Sequence, residues 1–194
     1  PQTIGCGDLG SNIATLSVTD ASGNHSMCTA DVTVMDNIAP VAVCRDVTTL
    51  LNTGGSTSVT ANTYNDGSSD NCQVASLNAS QTSFGCGDAG SNIVSLTVTD
   101  GAGNTDICTS NVLVQDVTAP TASCMDATVT IDAGGTGSLT SGDIDAGSTD
   151  ACNIAAYQIQ PSTFSCMMVG NHIVNLTVTA VSYTHLTLPT SVMV

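Results

Sequence analysis

The stretch GCGDAGSNIVSLTVTD at residues 85–100 decides the fold. In its second half the apolar residues Val94, Leu96 and Val98 alternate with serine and threonine, which is typical of a β-strand with one buried face. A near copy, GCGDLGSNIATLSVTD, occupies residues 5–20, and a weaker copy, SCMMVGNHIVNLTVTA, occupies residues 165–180. The copies start 80 residues apart, so the chain is a tandem array of one structural unit.

The array has two junctions, which share a proline. VMDNIAPVAVC at 34–44 matches VQDVTAPTASC at 114–124, and Pro40 and Pro120 fix their own φ angles there. These junctions predict the following domains: the C-terminal half of a module at 1–36, a complete module at 37–116, a truncated third module at 117–180, and a non-repeat tail at 181–194.

The tail breaks the repeat. The period predicts a cysteine at position 188, where the chain has Leu188. The segment VSYTHLTLPTS at 181–191 is similar to translated sequencing-adapter read-through, and we interpret the tail as an artefact of that kind. A divergent terminal cap, which repeat arrays often carry, is the alternative.

The complete module has turn residues every 8–12 positions between short alternating segments. Residues 49–51, 58–64, 74–78, 84–86, 93–99 and 108–114 are predicted strands. About seven short strands in a module of this size predict an all-β fold of tandem immunoglobulin-like antiparallel β-sandwich modules.

Composition restricts the function. The 194 residues carry one arginine or lysine against 16 acids, a formal net charge of −15, which excludes nucleic acid as a natural partner. Nine cysteines and almost no aromatic residues indicate disulfide-stapled modules in an oxidising compartment, hence a secreted or extracellular cell-surface protein. No apolar segment is long enough to insert into a membrane.

Four motifs carry a resemblance to a known family. They are A-P-x-A-x-C, D-N-C, C-x-D-x-G-x-N and L-T-V-T-D-x-x-G-N-x-x-x-C, as they stand around Cys44, Cys72, Cys86 and Cys108. This pattern resembles the hyalin-repeat (HYR-like) modules of bacterial, notably Bacteroidetes-type, surface proteins and of some animal extracellular proteins. The resemblance covers residues 1–180 and implies an immunoglobulin-like fold with a role in adhesion or cell-surface architecture.

Disulfides are the expected use of the cysteines, because C-x-x-C and zinc-ligand spacings are absent from the sequence. The first and last strands of an immunoglobulin-like sandwich are neighbours, so we expect Cys44 to pair with Cys108. Cys72 would then pair with Cys86, and Cys152 with Cys166, leaving Cys6, Cys28 and Cys124 over. Four cysteines in a module allow three connectivities, and the sequence does not choose among them.

Aspartate and asparagine cluster at the junction, in the polar loop at 65–71, and in the turn at 100–104. In an immunoglobulin-like fold these three segments lie at the same end of the module, and short oxygen-bearing side chains suit Ca²⁺. They are also ordinary turn residues, which is the alternative explanation. The candidate metal ligands are Asp36, Asp66, Asp70, Asp100, Asn104, Asp116 and Asp150.

These observations favour a non-enzymatic structural or adhesive segment of a large cell-surface protein, a disulfide-stapled stalk with Ca²⁺ as a candidate cofactor. No catalytic residues are predicted, since no cysteine–histidine pair recurs with the repeat. One alternative is a module that binds surface glycans or proteins. Another is a subunit of a self-assembling filament that accepts a strand from a second copy. In every case neighbouring modules of the same chain are expected partners.

Overall fold

The computed structural model describes residues 3–181, 186–188 and 191–192, the last two ranges by their backbone alone. Residues 182–185, 189–190 and 193–194 of the predicted tail lie outside the described residues. The described chain consists of β-strands joined by short helical turns, so the prediction of an all-β protein is confirmed. Within it, no helix has the length and apolar character that a membrane span needs.

Strands of the first and second repeats alternate with turns, as the spacing predicts. They are β1 (Gly10–Thr19), β2 (His25–Val34), β3 (Val47–Leu50), β4 (Ser56–Ser58), β5 (Val74–Ala79), β6 (Ser83–Gly85), β7 (Gly90–Asp100) and β8 (Thr105–Gln115). One helical turn, α1 (Ala61–Tyr64), follows β4, and 3-10 turns occupy Cys6–Asp8 and Cys86–Asp88.

The third repeat follows the second from β4 onward, with two shorter strands in place of β7 and two in place of β8, and residues 127–130, which match β3, form no strand. Its strands are β9 (Thr136–Ser138), β10 (Ile154–Gln160), β11 (Thr163–Ser165), β12 (His172–Ile173), β13 (Asn175–Ala180), β14 (Leu186–Leu188) and β15 (Ser191–Val192). The helical turn α2 (Ser141–Ile144) follows β9, and a 3-10 turn occupies Cys166–Met168.

The chain forms two compact units. The first comprises Pro1–Arg45, Thr60–Ser80 and Val94–Ser110, and the second comprises Asp46–Val59, Gln81–Ile93 and Asn111–Val194. Each unit therefore contains residues from two successive repeats. The module boundaries predicted from the repeat remain a prediction.

In the first unit, β1 and β2 form an antiparallel hairpin with Leu16 opposite Cys28. β5 pairs antiparallel with the end of β7, where Leu77 lies opposite Val98. Leu96, Val98 and Tyr64 are fully buried. Burying each such side chain contributes roughly 1.5–3 kcal/mol.

The matching face of β1 is open. Leu16 and Val18 occupy the repeat positions of Leu96 and Val98, yet 61% and 60% of their surfaces are exposed. The same alternating pattern therefore produces a buried face in β7 and an exposed one in β1, because the pattern fixes which side chains share a face and not what covers it.

In the second unit, the third repeat has its own core of Leu139, Ile144, Phe164, Val174, Leu176 and Val178. β10 pairs antiparallel with β13, and the short pairs β4–β6 and β9–β11 are also antiparallel. β3 is the exception, because it pairs parallel with β8, with Val47 opposite Val112. Strand order β3-β8-β7-β5 in one sheet, with β4-β6 in another, is an immunoglobulin-like β-sandwich arrangement.

The predicted strand at 58–64 is wrong beyond Ser58. Val59 and Tyr64 are both buried, at 6% and 0% exposure, although they lie five residues apart. A strand would place residues at an odd separation on opposite faces. In the third repeat Leu139 and Ile144, also five residues apart, belong to one core, and the helical turn α2 ends at Ile144.

The backbone of the tail follows the repeat register. β14 pairs antiparallel with β13, with Leu188 opposite Leu176. Subtracting two repeat periods gives the pair Cys28 and Leu16 of the β1–β2 hairpin. Leu188 thus occupies the backbone position of the expected cysteine. The interpretation of the tail as an artefact remains a prediction.

Candidate functional site

Two disulfides join one repeat to the next. Cys6 bonds to Cys72 and Cys86 bonds to Cys152, each across a sequence separation of 66 residues. In both cases the first cysteine opens a 3-10 turn and the second follows an aspartate turn ahead of a strand. A covalent bond therefore spans each junction of the array.

The predicted pairs Cys72–Cys86 and Cys152–Cys166 are wrong, and Cys6 is not left over. That expectation assumed that every module closes its own bridges. Cys72 belongs to the first compact unit and Cys86 to the second, while the partners in each observed bridge belong to the same unit. Cys166 and Cys28 are exposed thiols.

Cys44 bonds to Cys108, as expected from the neighbouring first and last strands. This bridge lies within the complete module and closes a 64-residue separation. Backbone bridges also hold the segment 41–44 in place. Val41 pairs with Ser69, and Cys44 pairs with Asn65.

Gly55 packs directly against the second inter-repeat bridge, Cys86–Cys152. Its φ of +71° favours glycine, and a Cβ there would lie 2.6 Å from the Ala151 carbonyl oxygen and 2.7 Å from Cys86 Sγ. The sulfur itself lies 3.5 Å from the carbonyl oxygens of Gly55 and Ala151. Only a residue without a side chain admits the next repeat so closely. The sequence did not predict this contact role of Gly55.

Three carboxylates converge at the first junction. One oxygen from each of Asp36, Asp70 and Asp100 lies within 4.8 Å of the other two. Asp36 follows β2, Asp70 precedes β5 and Asp100 ends β7. The sequence suggested this convergence of junction, polar loop and hairpin turn, and all three residues belong to the first compact unit.

Backbone donors hold each carboxylate by one oxygen. Asp36 Oδ1 accepts the Ile38 N–H at 3.1 Å, and Asp70 Oδ2 accepts the Cys72 N–H at 2.9 Å. Asp70 Oδ1 is buried and has no hydrogen-bond partner among the described residues. A buried carboxylate oxygen without a donor is costly, so this atom needs a partner from solution, either a water molecule or a cation.

Asp100 anchors the hairpin turn between β7 and β8. Its Oδ1 accepts N–H groups from Ala102, Gly103 and Asn104 at 2.9, 2.6 and 2.8 Å. Burial acts to raise the pKa of Asp100, but the Asn104 side chain and these backbone donors outweigh it and hold the pKa below its ordinary value of 3.8. The carboxylate is therefore charged at neutral pH.

Asn104 does not present an oxygen to the cluster. Its Nδ2 donates to the Asp36 carbonyl at 3.1 Å, the Ile38 carbonyl at 3.3 Å and Asp100 Oδ2 at 2.7 Å. An amide group in this orientation is a donor to ligand-type oxygens rather than a metal ligand. Asp66, another predicted ligand, is exposed and is not a member of the cluster.

The second junction repeats two of the three carboxylates. Asp116 and Asp150 occupy the repeat positions of Asp36 and Asp70, but Ala180 stands where the first junction has Asp100. Asp116 is only 2% exposed. One oxygen of Asp116 and one of Asp150 are buried without a hydrogen-bond partner among the described residues.

The chain has almost no cation of its own to balance these charges. Arg45 is the only arginine or lysine in the sequence, and its Nε donates to the Thr63 carbonyl oxygen at 2.7 Å. The sequence therefore offers one arginine or lysine against the five carboxylates of the two junctions.

No protein-family model matches the chain, and no curated protein sequence matches it. Among solved structures, it is similar to extracellular cadherin domains 1–4 of protocadherin gamma B7, with 11% identity, a TM-score of 0.39, and coverage of 95% of this chain and 57% of that one. It is also similar to PcdhgB3 EC1-4, with 10% identity, a TM-score of 0.36, and coverage of 94% and 65%. The chain spans less than two thirds of either structure, and at these TM-scores the similarity carries no argument about the site.

Proposed function

We propose that the chain is a structural and adhesive repeat segment of a large secreted cell-surface protein, of the hyalin-repeat type that its motifs resemble. It acts as a covalently stapled stalk and catalyses no reaction. The observation that supports this most is the pair of disulfides, Cys6–Cys72 and Cys86–Cys152, that link successive repeats at the same separation. Three disulfides in one chain also favour an oxidising, extracellular compartment.

Inter-repeat bridges suit a load-bearing role. A pulling force on the chain passes through the bridges, so the residues between bonded cysteines are not extended even when their strands unfold. Each bridge prevents the extension of a segment with a sequence separation of 66 residues, which would be roughly 220–240 Å long when fully extended. Intra-repeat bridges alone would leave the junctions free to extend.

Ca²⁺ at the first junction is the second part of the proposal. Asp36, Asp70 and Asp100 supply carboxylate oxygens within 4.8 Å of one another, and Asp70 Oδ1 is buried without a donor. Hard oxygen ligands favour Ca²⁺ over softer metals. A bound ion would tie together the junction, the polar loop and the hairpin turn, and would stiffen the junction.

The test is single-molecule force extension of the oxidised chain, repeated with a reductant. The stapled stalk predicts a short final contour length that increases greatly on reduction. The double variant Cys86→Ser/Cys152→Ser should gain on the order of 200 Å before reduction. Cys44→Ser/Cys108→Ser is the matched control and should gain no contour length. Its two cysteines lie in the segments 6–72 and 86–152, which the other two bridges already protect from the pulling force. Equal gains from both variants would contradict the proposal.

Self-assembly through the open face of β1 is a second candidate. Leu16 and Val18 are more than half exposed, whereas their repeat equivalents are fully buried. A second copy that covers this face would produce scattering that rises with protein concentration. Leu16→Ser should abolish that rise, and a scattering signal independent of concentration in the wild-type chain would exclude the candidate.

A further inference from the structure

The second junction has the backbone geometry of the first. Thr121 bridges Thr149 as Val41 bridges Ser69. Ile154 pairs with Ala180 as Val74 pairs with Asp100. The segments that carry Asp116, Asp150 and position 180 are therefore placed like those that carry Asp36, Asp70 and Asp100. All three belong to the second compact unit.

Each carboxylate at the second junction is also held by one oxygen. Asp116 Oδ1 accepts the Thr118 N–H at 2.9 Å, and Asp150 Oδ2 accepts the Cys152 N–H at 2.9 Å. These bonds match those that Asp36 and Asp70 accept from Ile38 and Cys72. Asp116 is 98% removed from solvent, since only 2% of its surface is exposed.

The second oxygen of Asp116 lacks the protein partner that its equivalent in Asp36 has. At the first junction Asp36 Oδ2 accepts Asn71 Nδ2 at 3.2 Å. Ala151 replaces Asn71 in the next repeat, and Asp116 Oδ2 is buried with no donor among the described residues. Asp150 Oδ1 is in the same condition. Two buried carboxylate oxygens without donors are costly unless a cation satisfies both.

We infer that Asp116 and Asp150 form a second divalent-cation site, weaker than the first because Ala180 removes one carboxylate. This inference rests on the proposed cation at the first junction and extends it to a graded pair. Affinity for Ca²⁺ follows the number of charged ligands, so the second site should bind about tenfold or more weakly. The two junctions would then stiffen at different Ca²⁺ concentrations.

Calorimetric titration of the oxidised full chain with Ca²⁺ at neutral pH tests the inference. The wild type should bind two ions, with affinities about tenfold or more apart. Asp150→Asn should remove only the weak event, and Asp70→Asn only the strong one. Ala180→Asp should strengthen the weak event toward the strong one. Asp66→Asn, which removes an exposed acid outside the cluster, should leave both unchanged.

The same titrations distinguish a failure of the second cation site from a failure of the first. A single ion whose binding survives Asp150→Asn and disappears with Asp70→Asn would overturn the second site and leave the first standing. A single ion with the reverse dependence would overturn the first site and keep Asp116 and Asp150. Absence of any binding would overturn both. Because Ala180→Asp places a charged side chain at a position only 4% exposed, the conclusion depends on the two asparagine variants, whose folding is checked by circular dichroism.

Discussion

The two junctions share their covalent part and differ in their polar part. Both have a disulfide across 66 residues, but the first has three clustered aspartates with Asn71 and the second has two aspartates with alanine at 151 and 180. The bridge and the carboxylates are therefore separable features. A junction can keep its disulfide while its charge changes, and the proposed cation sites would for this reason differ between repeats of one fold.

Loss of an inter-repeat bridge should have the largest effect, and an equal one at both junctions. A bridge that closes a loop of this size lowers the entropy of the unfolded chain, and it thereby stabilises the folded chain by about 4 kcal/mol. Cys6→Ser/Cys72→Ser and Cys86→Ser/Cys152→Ser should each lower the free energy of unfolding by that amount in denaturant titrations. A much smaller loss at one junction would show that its bridge is not formed in solution.

Ca²⁺ should stabilise the first junction more than the second. At a concentration 100 times the dissociation constant, a bound ion adds about 2.7 kcal/mol to the free energy of unfolding. Asp70→Asn should abolish the rise in melting temperature seen at low Ca²⁺, while Asp150→Asn should reduce only the further rise at high Ca²⁺. Melting curves in chelator are the control, since there the cation contributes nothing to any variant.

Replacement of glycine by alanine should destabilise the chain more at Gly55, where the next repeat packs closely, than at the equivalent Gly135. Gly55→Ala places a Cβ against the Ala151 oxygen and Cys86 Sγ, whereas a Cβ at Gly135 meets only Cys166 Sγ at 3.4 Å. Both glycines have positive φ, so the strain of that conformation is common to the two variants. Gly55→Ala should cost about 1–3 kcal/mol more, measured as the difference in unfolding free energy. Equal costs would mean that Ala151 does not pack there.

The smallest expected effect is on the pH dependence of the melting temperature, compared between Asp100→Asn and the wild type. The pKa of Asp100 is lowered in the folded chain, so its stabilising effect is complete above its ordinary value of 3.8 and is lost as the pH falls through the lower folded value. Melting temperature between pH 2 and 6 should therefore fall less steeply for Asp100→Asn than for the wild type. Parallel curves would show that the turn does not depend on the charge of Asp100.

The repeat and most of the strands could be predicted from the sequence, because alternation and turn residues act locally. The Cys44–Cys108 bridge was expected from the neighbouring strands of the predicted fold, but the inter-repeat bridges could not be predicted. In a periodic chain Cys72–Cys86 and Cys6–Cys72 both recur every 80 residues, so spacing does not distinguish a bridge within a repeat from one between repeats. The choice depends on which turns meet in three dimensions.

The cation cluster was partly predictable for a related reason. The immunoglobulin-like fold brings three acidic segments to one end, and Asp36, Asp70 and Asp100 were among the seven candidate ligands named on that ground. It does not fix side-chain direction, so Asp66 was included although it is exposed, and Asn104 was expected to offer an oxygen although its amide nitrogen faces the cluster. The helical turn α1 was missed because Val59, Thr63 and Tyr64, in and just before it, favour strands when taken alone.

Disulfide mapping tests the central claim most directly. The chain has one arginine or lysine and 16 aspartates, so an endoproteinase that cleaves before aspartate is suitable after free thiols are alkylated. Fragment 70–87 contains both Cys72 and Cys86, fragment 1–7 contains Cys6, and fragment 150–194 contains Cys152. Inter-repeat bridges predict one species in which 1–7, 70–87 and 150–194 are linked and separate only on reduction. Recovery of 70–87 alone, closed by an internal bridge, would contradict the account.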